Sequence, residues 1–208
     1  MTTFTAETLL DALTELGRTA RAAGKVIDIA IYGGSCLMLV SNFRVSTDDV
    51  DAVIEGDQRF LKEAAAALAK RRNWPADWLN DGVRTFLSPR VEALDHHIFF
   101  RAFPSESEPG LRVFVPTPQY LLAMKLIALR VDPATDDSDL ADILNLLDIV
   151  GVRSKEEILD FAAGFYPEAR ISARLRLAID QLWREHEELR KDPGHAAPVY
   201  LGRSRAPR

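Results

Sequence analysis

Leucines at 9, 10, 13 and 16, with Glu and Arg between them, recur at helical spacing and predict an amphipathic helix over residues 5–23, ended by Gly24. The period then shortens. Residues 27–32 read as an apolar strand, Gly33-Gly34-Ser35 as a turn, 36–41 as a helix, and 48–55 as a second strand closed by Gly56-Asp57. Residues two apart on a strand share a face, so Asp49 and Asp51 project side by side while Val50 turns into the core; Val53 is expected on the same buried face as Val50. An Ala-rich helix over 58–72 breaks at Trp74-Pro75 and is followed by a short helical turn at 76–79 and an Asn80-Asp81-Gly82 turn. Between Val83 and Val115 the pattern predicts three β segments, TFLSP, EALDHHIFFRAFP and LRVFVP, the last two joined by the hairpin loop SESEPG. Everything after Thr117-Pro118 reads as helical: 119–130, 138–150, a helix opened by a Ser154/Glu157 capping box, and 171–191. The whole predicts an α/β (α+β) protein, with a mixed domain over residues 1–116, a helical part over 117–191 packed on it, and a flexible basic tail over 192–208.

Composition narrows the class without naming a function. With 208 residues, 47% apolar and 27% charged, the chain has the make-up of an ordinary globular protein with one good core. Its longest apolar runs, such as residues 120–129, are short and contain Lys125, so none is expected to span a bilayer, and the acidic, amphipathic start does not read as a signal peptide. The lone Cys36 has no internal disulfide partner, which fits a cytoplasmic setting; its expected role is a small buried filler. A net charge of −5 does not advertise nucleic-acid binding. Residues 190–208, with five basic residues and one acid, have the opposite sign and suit either a phosphate backbone or a solubilising end.

The chemistry gathers around residues 27–54. A Gly-Gly-Ser turn between strand and helix brings N–H groups close to an anion because no Cβ blocks the approach, and the Ser35 hydroxyl adds a donor. Asp49 and Asp51 repel one another and suit a hard cation; the plainer reading is a turn with two solvated acids. Lys125 lies among apolar neighbours, where it is either paired or snorkels from the helix margin. Asp139 and Asp142 are three apart on one helix face, and Asp139 also suits a capping role. Asp136 and Asp137 read as loop charges, and Asp95, His96 and His97 do not have metal-ligand spacing.

Taken together, these pieces resemble a known signature. Strand, Gly-Gly-Ser, helix and Asp-x-Asp, with fourteen residues from Ser35 to Asp49, resemble the polymerase-β-like nucleotidyltransferase superfamily. RVSTDDVD is similar to the R-x-x-T-x-D-[IV]-D stretch of its minimal members related to the AbiEii toxins. TPQYLLAMKLIALR resembles their proline-led Lys-x-x-Ala helix, DSDLADILNLL their Asp-x-x-Asp helix, and WLND a further segment of these relatives. The resemblance covers residues 27–150 and implies a small mixed sheet with flanking helices. It implies Mg²⁺ held by Asp49 and Asp51 against an NTP, with Gly33, Gly34 and Ser35 around the phosphates. In the same reading Arg44 and Lys125 contact phosphate or pair with a site acid, and Asp139 and Asp142 face the cleft. Asp49, Asp51 and Lys125 then form the catalytic set. The activity implied is transfer of an NMP to a hydroxyl of a tRNA or protein acceptor, by one half of a toxin–antitoxin pair, with a cognate antitoxin or toxin and no membrane partner. The alternatives are a degenerate nucleotide- or partner-binding relative and an unrelated structural domain. One departure stands out: a third carboxylate is expected on a later strand, where the sequence offers Glu92 and Asp95 but LRVFV has none.

Overall fold

Strand β1 (Phe4–Thr5) runs directly into helix α1 (Ala6–Ala22), where the Thr5 side chain caps the helix by accepting from the Thr8 N–H. Gly24 ends it in a left-handed conformation. Strand β2 (Ile27–Ile31) follows, then helix α2 (Gly33–Val40), so the glycine turn is itself the first turn of the helix rather than a loop before it. The second predicted strand begins at Val50 rather than 48, so Asp49 lies just ahead of it, and a short, unexpected strand precedes it. Strand β3 (Ser46–Thr47) pairs with β1, and β4 (Val50–Glu55) enters the main sheet. Helix α3 (Gln58–Arg72) has the predicted bounds, capped by Asp57 and stopped by Asn73 in the left-handed region. The computed structural model describes residues 3–92, 94–129, 137–192 and 194–200.

Two expectations fail in the next stretch. Residues 76–79 do not form a helical turn; Leu79–Asn80 is a two-residue strand, β5, parallel to the start of β4. Residues 85–89 are not a strand either. Gly82–Phe86 forms a 3₁₀ turn whose three-residue repeat carries Val83 and Phe86 to the same side. Strands β6 (His97–Pro104) and β7 (Pro109–Pro116) then form the expected hairpin. The finished sheet is mixed, in the order β5-β4-β2-β7-β6, with β2 parallel to β7 and antiparallel to β4.

The sheet has two unlike faces. Ile27, Ile29 and Ile31, with Val50, Ala52, Ile54, Leu111, Val113 and Val115, pack in the larger core that includes α1 and α3. On the other face Ala30, Tyr32 and Val53 lie in a smaller aromatic cluster with Val83, Tyr120 and Tyr166. Val53, expected on the face of Val50, lies on the opposite one with Asp51, because three residues along a strand change faces.

Helices α4 (Pro118–Ala128), α5 (Asp137–Val150), α6 (Lys155–Phe165) and α7 (Ala173–Lys191) complete the chain. Leu121, Leu122, Ile143, Leu147, Ile158, Leu175, Ile179 and Leu182 join the larger core, so the apolar stripe of the last helix is used internally. A clasp fastens residues 85–90 to 163–170. Ser88 Oγ donates to the Phe165 carbonyl, Arg90 to Ala163 (2.7 Å), Tyr166 to Phe86 (2.5 Å) and Arg170 to Thr85 (2.6 Å). Of the tail expected over 192–208, residues 194–200 lie against the body, and 201–208 fall outside the described residues. Among the described residues no helix is long and apolar enough to cross a membrane.

Candidate active site

The first element of the site is the end of β2. The Tyr32 N–H donates to the Asp51 carbonyl (2.9 Å), carrying the β2–β4 ladder to the point where the chain turns into α2. That register sets the glycine turn against the acid. A Cβ on Gly33 would sit 3.0 Å from Asp51 Oδ2, and Gly33 has φ +61°, so an L side chain is both crowded and strained there. On the opposite flank Asn80 of β5 pairs with Asp51, donates its Nδ2 to Asp49 Oδ2 (3.1 Å) and accepts the Gly82 N–H on Oδ1 (2.8 Å). Trp78 anchors this flank. It is buried, packs tilted against Phe4 and edge-on against Trp74, and donates its indole N–H to the Ala65 carbonyl of α3. Asp49 is exposed and Asp51 partly buried. Burial first, then the Asp49 charge, push the Asp51 carboxyl up to about 6, with the Lys125 ammonium offsetting part of the rise.

The second element is a chain of charges behind the turn. Lys125 Nζ of α4 bridges Asp139 and Asp142 of α5 at 2.8 Å each, and Arg44 Nη1 reaches the same Asp142 Oδ2 at 3.2 Å. The Asp142 side chain is 3% exposed, Lys125 11% and Arg44 19%, whereas Asp139 is 73% exposed. Burial alone lowers the Lys125 pKa, but the two carboxylates outweigh it and the ammonium is held above its ordinary value. Arg44 also donates Nε to the Ser46 carbonyl, and its Nη2 would lie 3.0 Å from a Cβ on Gly34. The turn is therefore bounded by a carboxylate at Gly33 and a guanidinium at Gly34.

Of the expected residues, Arg44, Lys125, Asp139 and Asp142 form one connected network, and Asp49, Asp51 and Gly33 another. Ser35 is buried, and its hydroxyl donates to the Tyr32 carbonyl (2.8 Å), which spends the donor expected to face the cleft. Asp95 and Glu92 lie in the exposed turn before β6, and among the described residues no group of three His, Cys, Asp or Glu gathers to hold a metal. The β7 residues that pair with β2 are Leu111, Arg112, Val113 and Phe114, so the neighbouring strand brings no acid. His97 is satisfied at both nitrogens: Nδ1 donates to the Asp95 carbonyl and Nε2 accepts from the Tyr32 hydroxyl, both at 2.8 Å. Burial pushes its pKa down. Cys36 is fully buried, and burial pushes its thiol up to about 12. Asp136 lies outside the described residues. Sequence patterning missed Asn80; the signal was the WLND segment, whose last residues flank the acids.

The donor set around Asp49 and Asp51 suits a small hard cation. Magnesium is commonly bound by one or two carboxylates and completed by phosphate oxygens and water. Two adjacent carboxylates, one with its proton affinity raised by burial and then by its neighbour, match that pattern, while Lys125 and Arg44 are engaged by Asp139 and Asp142. No family model matches the chain, and no curated protein matches it. Among solved structures it is similar to an antigenic nucleotidyltransferase-like protein from Paracoccidioides brasiliensis, with 17% identity, 91% of this chain and 93% of that one covered, and a TM-score of 0.44.

Proposed function

We propose that the protein is a Mg²⁺-dependent nucleotidyltransferase of the polymerase-β-like, AbiEii-related kind, which moves an NMP from an NTP onto an acceptor hydroxyl of a tRNA or a protein. The observation that carries the reading is the contact between Gly33 and Asp51, which sets a helix N-terminus directly beside a self-repelling carboxylate pair. One side receives an anion, the other a cation, and a metal-bound polyphosphate supplies both at that spacing. Asp49 and Asp51 hold the Mg²⁺, which when bound neutralises charge on phosphoryl oxygens. The N–H groups of Gly33, Gly34 and Ser35 have no partner within α2 and face the phosphates; Ser35 acts through its backbone rather than its hydroxyl. Arg44 and Lys125 add positive charge at the same floor, held in place by their shared grip on Asp142. Residues 1–116 carry the nucleotide site and 117–191 the helical wall, and a toxin–antitoxin pairing in the cytoplasm is part of the same proposal.

A second reading, a nucleotide binder that does not turn over, is favoured by one observation: no third acid joins Asp49 and Asp51 among the described residues. Thermal shift with Mg²⁺ and each NTP tests the site. The wild type should gain stability that Asp49→Asn and Asp51→Asn do not; equal shifts in all three would sink the metal assignment. Labelled NTPs incubated with total tRNA then separate the two readings, since label on RNA or protein means transfer, and binding without label means a binder.

A further inference from the structure

Helices α2, α4 and α5 carry residues of the candidate site, and they share a neighbour in the segment after α7. The Gly194 N–H bonds Asp192 Oδ1 (2.8 Å), turning the chain, and His195 then lies 3.5 Å from Asp148 of α5. Asn42, just past α2, grips residues 197 and 199: its Nδ2 donates to the Ala197 carbonyl (3.4 Å) and its Oδ1 accepts the Val199 N–H (2.9 Å). Ser41 pairs with Tyr200 in an antiparallel bridge. The Tyr200 hydroxyl donates to the Pro116 carbonyl (2.5 Å) and stands 3.5 Å from Cys36 Sγ. Cys36 directly follows Gly33-Gly34-Ser35 in α2, and Pro116 immediately precedes the Thr117 cap of the Lys125 helix. One phenol thus ties together the two helices that bring backbone N–H groups and ammonium to the candidate site.

Ordering this segment costs conformational entropy at every residue, set against a handful of bonds, which places it among the parts of the protein that open most readily. We propose that residues 195–200 are a strap that fixes α2 relative to α4, with Tyr200 as its positioning residue, so that freeing the strap weakens binding of a phosphate ligand without unfolding the protein. The effect on ligand rests on the nucleotidyltransferase reading; the positioning itself does not.

Hydrogen exchange on the full chain, with Mg²⁺–ATP as the binding probe, tests it. In Tyr200→Ala the hydrogen-bonded amides of residues 36–41 and 120–124 should exchange faster together, by about tenfold, while the rest of the core is unchanged; affinity for Mg²⁺–ATP should fall by about tenfold. Tyr200→Phe keeps the ring, loses the hydroxyl and should fall between the two on both measures. The proposal is overturned if either variant leaves one of the two segments at wild-type exchange, or if exchange rises throughout the chain in step with global stability. A wild type that fails to bind Mg²⁺–ATP defeats the proposed function, and the exchange measurement still decides the strap.

Discussion

The candidate site contains two charged clusters that obey opposite rules. Around Asp142 every charge is answered: one buried carboxylate holds Lys125 and Arg44, and Asp139 takes a remaining proton of the lysine from the solvent side. Around Asp51 the charge is answered only in part. Burial first, then the neighbouring Asp49 carboxylate, raise its proton affinity, and the Lys125 ammonium offsets a fraction of the rise. The first cluster is a finished structural joint whose worth lies in its geometry, because buried ion pairs gain little over apolar packing but cost heavily when broken. The second stores electrostatic tension that a cation would relieve. Sites that bind are expected to look like the second, supported by something like the first.

Removing charge therefore should have opposite effects in the two clusters. Asp142→Asn leaves Lys125 and Arg44 short of their common partner and should cost about 3 kcal/mol or more in urea unfolding; a loss below about 1 kcal/mol, the range of exposed pairs, would erase the contrast. Asp51→Asn should stabilise. The folded carboxyl, pushed up to about 6 from an ordinary 3.8, binds a proton more tightly than the unfolded chain does. Wild-type stability thus rises as pH falls through 6, is complete below 4, and is lost above 6. The Asn variant should exceed wild type by about 1–2 kcal/mol at pH 8, after discounting for partial exposure, and match it near pH 4. A melting series across that range reads the difference, and an advantage that persists at pH 4 would point to some cause other than charge.

Gly33→Ala sharpens the contrast from the backbone side. A left-handed L residue costs about 1–2 kcal/mol, and here its Cβ also presses on Asp51 Oδ2. The expected result is a destabilised protein whose thermal shift with Mg²⁺ and NTP is lost; a retained shift would separate the turn from the acids. The smallest effect belongs to Asp139→Asn. Its carboxylate is 73% exposed, so the change in stability should stay within about 0.5 kcal/mol. A larger loss would move Asp139 into the structural joint with Asp142.

How far the sequence revealed this site depends on the length of each repeat. The alternation along Val50–Glu55 is long enough to fix which of its side chains share a face, whereas Asp49 lies just ahead of the strand and meets the site through Asn80; the helical spacing of Asp139 and Asp142 brings them both to Lys125 as their register requires. The same rule, applied consistently, puts Val53 with Asp51, where the structure has it. Asn80 was invisible to periodicity because β5 is two residues long and owes its place to Trp78, a contact made across the chain with α3. Ser35 misled for a different reason: a hydroxyl in the first turn of a helix has a backbone carbonyl within reach, and took it. The segment ending at Tyr200 read as tail because its anchors are single bonds to residues far away in the chain.

The clasp between residues 85–90 and 163–170 bears on how this wall of the molecule can change over generations of mutation. Its acceptors at Thr85, Phe86, Ala163 and Phe165 are all main-chain carbonyls, which every amino acid supplies. Those positions are free to drift in side chain so far as the clasp is concerned. The donors Ser88, Arg90, Tyr166 and Arg170 are not, and a library that varies both sets should find tolerance on one side of each bond and intolerance on the other.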